Sequence, residues 1–96
     1  MFHRVLQVFP TEDYQVYIYF SDGIIKLYDA SNLVNKGVFQ KIKNKEIFVN
    51  SCTVLNDTLA WDLSGKHDPT DCLDLDPEVL YNNCPEVEES NIHIVS

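Results

Sequence analysis

Residues 14–28 constrain the fold of this chain more than any other stretch. Two runs rich in aromatic and β-branched residues flank Asp22-Gly23, a dipeptide that suits a two-residue type I′ turn because both central positions need positive φ. The pattern predicts a β-hairpin with Asp22 and Gly23 as its loop. The predicted register pairs four positions of each strand: Phe20 with Ile25, Tyr19 with Lys26, Ile18 with Leu27 and Tyr17 with Tyr28.

Because side chains alternate along a strand, this register assigns every residue of the hairpin to a face. The predicted inner face carries Ile18, Phe20, Ile25 and Leu27. The predicted outer face carries Tyr17, Tyr19, Lys26 and Tyr28. Tyrosines bury much area while keeping a polar tip, so we expect these four outer residues to bind a protein partner. Two alternatives stay open: tyrosine simply favours strands, or the C-terminal segment packs over this face.

The segments around the hairpin predict further elements. Residues 3–9 are predicted to form a strand that Pro10 ends. Together with the hairpin, this strand gives an antiparallel meander of three strands. Residues 29–51 lose the two-residue period and predict short helices that cover the inner face. Their expected boundaries are Asp29 as the first N-cap, Gly37 as a C-cap and Asn44 as a second N-cap.

The second half of the chain predicts another hairpin and another helix. Residues 52–61 form the hairpin, with Asn56-Asp57 as its loop and with Cys52, Val54, Leu59 and Trp61 on its core face. Residues 62–76 are expected to form an acidic loop. Asp76 followed by Pro77 then has the signature of a helix start. This helix, over about residues 77–82, is expected to bury Val79 and Leu80 or Tyr81.

These elements predict an α+β fold, in which an antiparallel β-meander and a second β-hairpin carry short helices packed on one face. A chain of 96 residues has room for one domain. We expect residues 1–84 to form it and residues 85–96 to be a flexible or partner-pairing tail. Within that tail, Ile92, Ile94 and Val95 have the pattern of an edge strand.

Charge is distributed unevenly along the chain. Residues 1–56 have a balance of +1 and residues 57–96 a balance of −9, giving the net charge of −8. Such a field repels phosphate backbones, so no direct nucleic-acid binding is expected. No signal peptide or membrane span is recognisable, so we expect no membrane association and a cytoplasmic protein.

No catalytic, cofactor-binding or metal-binding residues are predicted, and we expect a protein that is not an enzyme. The three cysteines match no zinc pattern or disulfide framework. One acidic stretch invites a metal interpretation through His67, Asp68, Asp71, Cys72, Asp74, Asp76 and Glu78. It lacks the glycine and the distal glutamate of a calcium loop, and two nitrogen or sulfur ligands fall short of the four in a structural zinc site.

The order of these segments resembles the bacterial family of domains of unknown function numbered 2442. The resemblance covers most of the chain. It is carried by the segment FSDGIIKLYD from Phe20, the step Gly37-Val38-Phe39, Trp61 and the close Asp76-Pro77-x-x-Leu80-Tyr81. It implies a small α+β domain with no established catalytic residues.

Three hypotheses about function follow. The first is a non-enzymatic protein-binding module that contacts another copy or a small protein partner through Tyr17, Tyr19, Lys26 and Tyr28 or through an open strand edge. The second is an antitoxin-like or transcription-associated role, which the resemblance implies because some members of that family occur beside small toxin-like proteins or carry a helix-turn-helix domain. The third is a metal-dependent enzyme that uses residues 62–78.

Overall fold

The computed structural model describes residues 3–65 and 72–88. Their strands and helices are β1 (Val5–Pro10), β2 (Gln15–Phe20), β3 (Ile25–Asp29), two 3-10 helices (Leu33–Asn35 and Gly37–Ile42), α1 (Lys45–Ser51), β4 (Cys52–Leu55), β5 (Thr58–Asp62), β6 (Cys72–Asp74), α2 (Pro77–Asn83) and β7 (Glu86–Val87).

The strands form two antiparallel sheets. One has four strands in the order β1-β2-β3-β7, and the other has three in the order β4-β5-β6. Strand β1 also lies against β4, and Val5 N–H donates to the carbonyl of Asp57 at 2.8 Å, which ties the sheets together. The predicted α+β fold with a meander, a second hairpin and short helices is confirmed.

The predicted register of the first hairpin is wrong by one residue. Tyr19 pairs with Ile25 and Tyr17 with Leu27. The loop has three residues, because Gly23 N–H donates to the carbonyl of Phe20 at 3.1 Å and Phe20 N–H donates to the carbonyl of Ile24 at 2.9 Å. This is a type I turn followed by a left-handed glycine that forms a bulge, with Gly23 at φ +90°.

Asp22 explains why the two-residue turn does not form. A type I′ turn needs positive φ at both central residues, but Asp22 is not among the described residues with positive φ. Its Oδ1 instead accepts from Ile24 N–H at 2.9 Å, and its Oδ2 accepts from the Tyr81 hydroxyl at 2.6 Å. These bonds hold the aspartate in a geometry that places the turn one residue earlier.

The slip exchanges the faces of β3 while leaving those of β2 as predicted. Val16, Ile18 and Phe20 are buried and belong to the core. Their cross-strand partners include Tyr28, opposite Val16, and Lys26, opposite Ile18, so the predicted assignment of those two residues to the outer face is wrong. Ile25 and Leu27, predicted to point inward, share the outer face with Tyr19 and Tyr17.

The second hairpin has the predicted register. Cys52 pairs with Trp61 and Val54 with Leu59, and Asn56 and Asp57 both have positive φ, at 50° and 64°. Leu59 and Trp61 are fully buried. The prediction of a loop over residues 62–76 is wrong at its ends, because Asp62 belongs to β5 and Cys72–Asp74 form β6, which pairs with β5.

The helical segments follow the predicted caps in part. The Asn44 side chain accepts from the backbone N–H groups of Glu46 and Ile47, so α1 begins where expected. Two 3-10 helices fill the region before it. Asp29 accepts from Ser31 N–H without capping a helix, and Gly37 begins the second 3-10 helix instead of closing the first.

Helix α2 begins as predicted, with Asp76 as its N-cap and Pro77 in its first turn. Leu80 is buried and Tyr81 packs against the core, whereas Val79, predicted to be buried, is 54% exposed. Leu80 points into the core. Val79 precedes it by one residue, about 100° away around the helix, and therefore points to solvent.

The core lies between the sheets and the helices. It includes Val5, Val16, Ile18, Phe20, Ala30, Val34, Ile42, Phe48, Leu59, Trp61 and Leu80.

Within residues 3–65 and 72–88, no helix is long and apolar enough to cross a membrane. Glu86 and Val87 pair with Lys26 and Ile25 at the sheet edge. The predicted edge strand at Ile92, Ile94 and Val95 lies outside the described residues.

Candidate functional site

The sheet divides the four residues predicted to bind a partner. Tyr17 and Tyr19 lie on the outer face and are half-buried. Tyr28 lies on the opposite face and packs against the core, where burial raises the pKa of its hydroxyl. Lys26 lies on that same side, with Nζ 4.9 Å from the centroid of the Tyr81 ring. The structure therefore keeps two of the four on a common surface.

The surface to which Tyr17 and Tyr19 belong is more apolar than predicted. Cross-strand pairing brings together one set of residues, called the outer face from here on: Phe9, Tyr17, Tyr19, Ile25, Leu27 and Val87. The rings of Phe9 and Tyr19 meet edge to face with centroids 5.5 Å apart. Cross-strand aromatic and β-branched pairs of this kind stabilise a sheet, and they make the outer face continuous across all four strands.

The outer face is separate from the core. The buried core contains side chains from the opposite face of β2, and the helical segments contribute Val34, Ile42, Phe48 and Leu80 to it. No residue of the outer face belongs to that cluster. Ile25 lies outside that cluster but is buried all the same, with 7% of its surface exposed. The sheet thus has one face that packs on the helices and a second face with apolar character of its own.

A cluster of polar side chains connects His3 and the turn of the first hairpin to α2. We call it the α2 cluster, and its members are His3, Asp22, Lys26, Glu78 and Tyr81. His3 N–H donates to Glu78 Oε2 at 2.6 Å, and His3 Nδ1 lies 2.8 Å from Glu78 Oε1. The His3 and Tyr81 rings stack with centroids 3.6 Å apart. Tyr81 therefore contacts both His3, which precedes β1, and Asp22, in the turn between β2 and β3.

The hydrogen bonds of the α2 cluster set the charge states of its members. The bond from the Tyr81 hydroxyl lowers the pKa of Asp22, and the Ile24 N–H lowers it further. The same bond raises the pKa of Tyr81. The His3 backbone N–H, followed by its ring, lowers the pKa of Glu78. Two ionised carboxylates with bound donors and a protonated phenol result.

Through these contacts the α2 cluster links segments that are distant in the sequence. Its carboxylates accept hydrogen bonds from protein donors, and the Tyr81 hydroxyl donates a hydrogen bond to Asp22. Sequence reasoning missed His3, Asp22, Glu78 and Tyr81 as a group, because the contacts join residues 59 and 75 positions apart. A partial signal existed, since the segments FSDG and DPEVLY are among those that carry the family resemblance, and Asp22 bonds to Tyr81 between them.

Two of the three cysteines, Cys52 and Cys84, pack against the core. All three cysteines lie within the described residues, and no disulfide joins them. Burial raises the pKa of Cys52 to about 12, and burial also raises the pKa of Cys84. A nucleophilic cysteine needs the opposite shift.

The acidic stretch considered for metal binding falls partly outside the described residues, at His67, Asp68 and Asp71. Asp76 caps α2, and Glu78 belongs to the α2 cluster. Within the described ranges 3–65 and 72–88, no group of three or more His, Cys, Asp or Glu side chains is arranged to hold a metal ion.

Comparison with known proteins agrees with the resemblance in the sequence. The model of the family described as "Protein of unknown function (DUF2442)" matches residues 5–86, which run from the start of β1 into β7. No curated protein and no solved structure matches the chain. The matched range includes both sheets, the outer face except for Val87, and all of the α2 cluster except His3. The chain therefore belongs to the DUF2442 family of proteins of unknown function.

Proposed function

We propose that this protein is a non-enzymatic binding module that contacts a protein, either a second copy or a small partner, through the outer face of its four-stranded sheet. The observation that carries the proposal is the separation of the outer face from the core. Tyr17, Tyr19 and Leu27 are half-buried and share one surface, while the helices pack on the other side of the sheet. The patch is contiguous and partly open to solvent, with five half-buried residues around the buried Ile25, and contiguous apolar patches at the surface are typical of interaction sites.

The composition of the outer face supports a protein as the partner. Phe9 and the two tyrosines are residues that interfaces favour, because each offers a large rigid area. Ile25 and Leu27 add aliphatic surface between them. Lys26 and Tyr28, which the sequence predicted to lie on the same surface, are not part of the outer face, since they face the core and α2.

The absence of enzymatic activity is part of the proposal. The α2 cluster is the most convergent group of polar side chains among the described residues, and its carboxylates, phenol and imidazole bind one another. The raised pKa values of Cys52 and Cys84 oppose nucleophilic catalysis by either thiol. We also propose that the protein acts in the cytoplasm, which suits cysteines that form no disulfide.

The experiment compares the intact chain with the variant Tyr17→Thr/Leu27→Thr. These residues pair across β2 and β3, so the two changes remove the centre of the outer face while keeping residues that tolerate a strand. Size-exclusion chromatography with light scattering measures self-association, and affinity capture from the native host followed by mass spectrometry measures partner binding. We expect the variant to lose the oligomer or the captured partner.

Leu55→Thr is the matched control, because it makes the same change from leucine to threonine at a half-buried strand position of the three-stranded sheet, outside the outer face and the core cluster. Both variants are checked by circular dichroism for the folded state, and both are measured in about 0.5 M NaCl so that charge contacts are screened. Retained binding in the Tyr17→Thr/Leu27→Thr protein, or a strictly monomeric parent chain that captures nothing, would refute the proposal.

A further inference from the structure

The second 3-10 helix and the start of α1 carry an unusual surface for so acidic a protein. Its residues, called the lysine surface from here on, are Lys36, Val38, Lys41, Lys43, Lys45 and Ile47. All six are exposed. Residues 36–45 contain four lysines and no acidic residue, although the chain has a net charge of −8.

The geometry of the 3-10 helix brings apolar and basic side chains together. Residues three positions apart eclipse one another in such a helix, so Val38 lies over Lys41. Phe39 and Ile42, also three apart, form the other side and pack into the core. Val38 is 57% exposed and Ile47 40% exposed. The lysine surface therefore combines positive charge with aliphatic contact area.

The lysine surface has acidic neighbours at its Lys45 end, where Glu12 and Glu46 line the same pocket as Lys45. The ion pairs within the described part of the chain are His3–Glu78 and Arg4–Asp57, and neither uses a lysine. Lys45 Nζ lies 6.0 Å from the centroid of the Tyr14 ring, which is a weak cation–π contact. Residues 36–45 thus present a net positive charge to solvent.

A stretch of opposite charge lies elsewhere in the same chain. Residues 74–88 contain five acidic residues and no Lys or Arg. Its exposed acidic residues and exposed aliphatic residue, called the acidic surface, are Asp74, Asp76, Val79, Glu86 and Glu88. Val79 is the exposed aliphatic side chain among them, at 54%. The two surfaces carry charges of opposite sign, and each includes an exposed β-branched side chain.

We infer that the lysine surface of one copy binds the acidic surface of a second copy in a head-to-tail contact. The contact is heterologous, because different patches of the two copies meet. It is separate from the outer face and stands or falls independently of the proposed function. Repulsion between two chains of charge −8 is screened beyond about 8 Å at physiological salt, whereas charges in direct contact are screened much less.

A nucleic acid is the less suitable occupant of the lysine surface. The negative field of the whole chain opposes a phosphate backbone. The exposed large apolar side chains beside the lysines are the aliphatic Val38 and Ile47, which offer no ring for a base to stack on. A polypeptide can use both the charges and the aliphatic contacts.

Sedimentation velocity of the full chain at low salt, about 0.15 M NaCl, where the long-range repulsion is screened, and at high salt, about 0.5 M NaCl, tests the inference. We expect association at low salt that weakens about tenfold or more at high salt. Lys41→Glu/Lys43→Glu should abolish it, and Asp74→Lys/Glu88→Lys should abolish it as well. Lys41→Arg/Lys43→Arg keeps the charge and should keep the association. Circular dichroism confirms that each variant is folded.

Mixing the two reversed variants is the decisive arm. Each variant alone keeps one charged surface, because its two substitutions bring the other surface to a formal charge of about zero. The mixture again offers one intact surface of each sign, so it should associate at low salt. A monomer at low salt, an association that ignores both salt and Lys41→Glu/Lys43→Glu, or a mixture that fails to associate would overturn the inference. Lysine-dependent binding of a single-stranded oligonucleotide with no self-association would overturn it in favour of a nucleic acid.

Discussion

Replacing Gly23 by alanine should destabilise the protein by about 1–2 kcal/mol, the cost of a left-handed conformation for an L-residue. Gly23 has φ +90°, and a Cβ added there would meet no atom within 4 Å. The cost is therefore purely conformational, without a steric clash. In a domain of this size, 1 kcal/mol corresponds to a fall in melting temperature of roughly 4–8 °C.

Urea unfolding followed by tryptophan fluorescence measures this cost, since Trp61 is fully buried. Asp22→Gly provides the arm that separates the two possible turns. In a type I′ turn a second glycine would be favourable, whereas here it removes the acceptor of the Ile24 N–H and the Tyr81 hydroxyl. We expect Asp22→Gly to destabilise. A stabilised Asp22→Gly protein, or an unchanged Gly23→Ala protein, would refute the three-residue turn.

Three further predictions concern the core, a thiol and acid stability. Leu80→Ala should cost about 2–5 kcal/mol in urea unfolding, while Val79→Ala, at an exposed position of the same helix, should stay within about 0.5 kcal/mol. Cys52, whose pKa is raised to about 12, should react with a maleimide at pH 8 far more slowly than in urea-unfolded protein; equal rates would contradict its burial. The pKa of Glu78 is lowered from 4.5, so its contribution to stability should be present above pH 4.5 and disappear as the pH falls through the lower folded value. Glu78→Gln should flatten that part of the pH profile of stability. An unchanged profile would contradict the claim that the His3–Glu78 contact stabilises the fold.

Local chemistry was sufficient to predict the elements whose boundaries depend on neighbouring residues. Asn56 and Asp57 tolerate positive φ, and the second hairpin forms around them in the predicted register. Asn44 and Asp76 cap α1 and α2 as expected. In each case the deciding hydrogen bonds join residues within a few positions of one another, which a sequence pattern contains.

The first hairpin shows where this reasoning ends. The sequence DG favours a two-residue turn locally, but Asp22 bonds to Tyr81, 59 residues away. Strand β6 was missed for a similar reason, because Cys72–Asp74 is a short strand defined by its pairing with β5. The candidate site was predicted from the same register of the first hairpin. Tyr17 and Tyr19 of β2 were therefore assigned to the correct face, while Lys26 and Tyr28 of β3 were assigned to the wrong one.

Methyl NMR of the full chain with its captured partner, or across a dilution series if it self-associates, tests the proposed function most directly. We predict that the methyl signals of Ile25 and Leu27 shift on binding, because both lie on the outer face. Those of Ile18 and Leu80, buried in the core, should stay in place. Shifts confined to methyl groups outside the outer face, with Ile25 and Leu27 unchanged, would contradict the proposal.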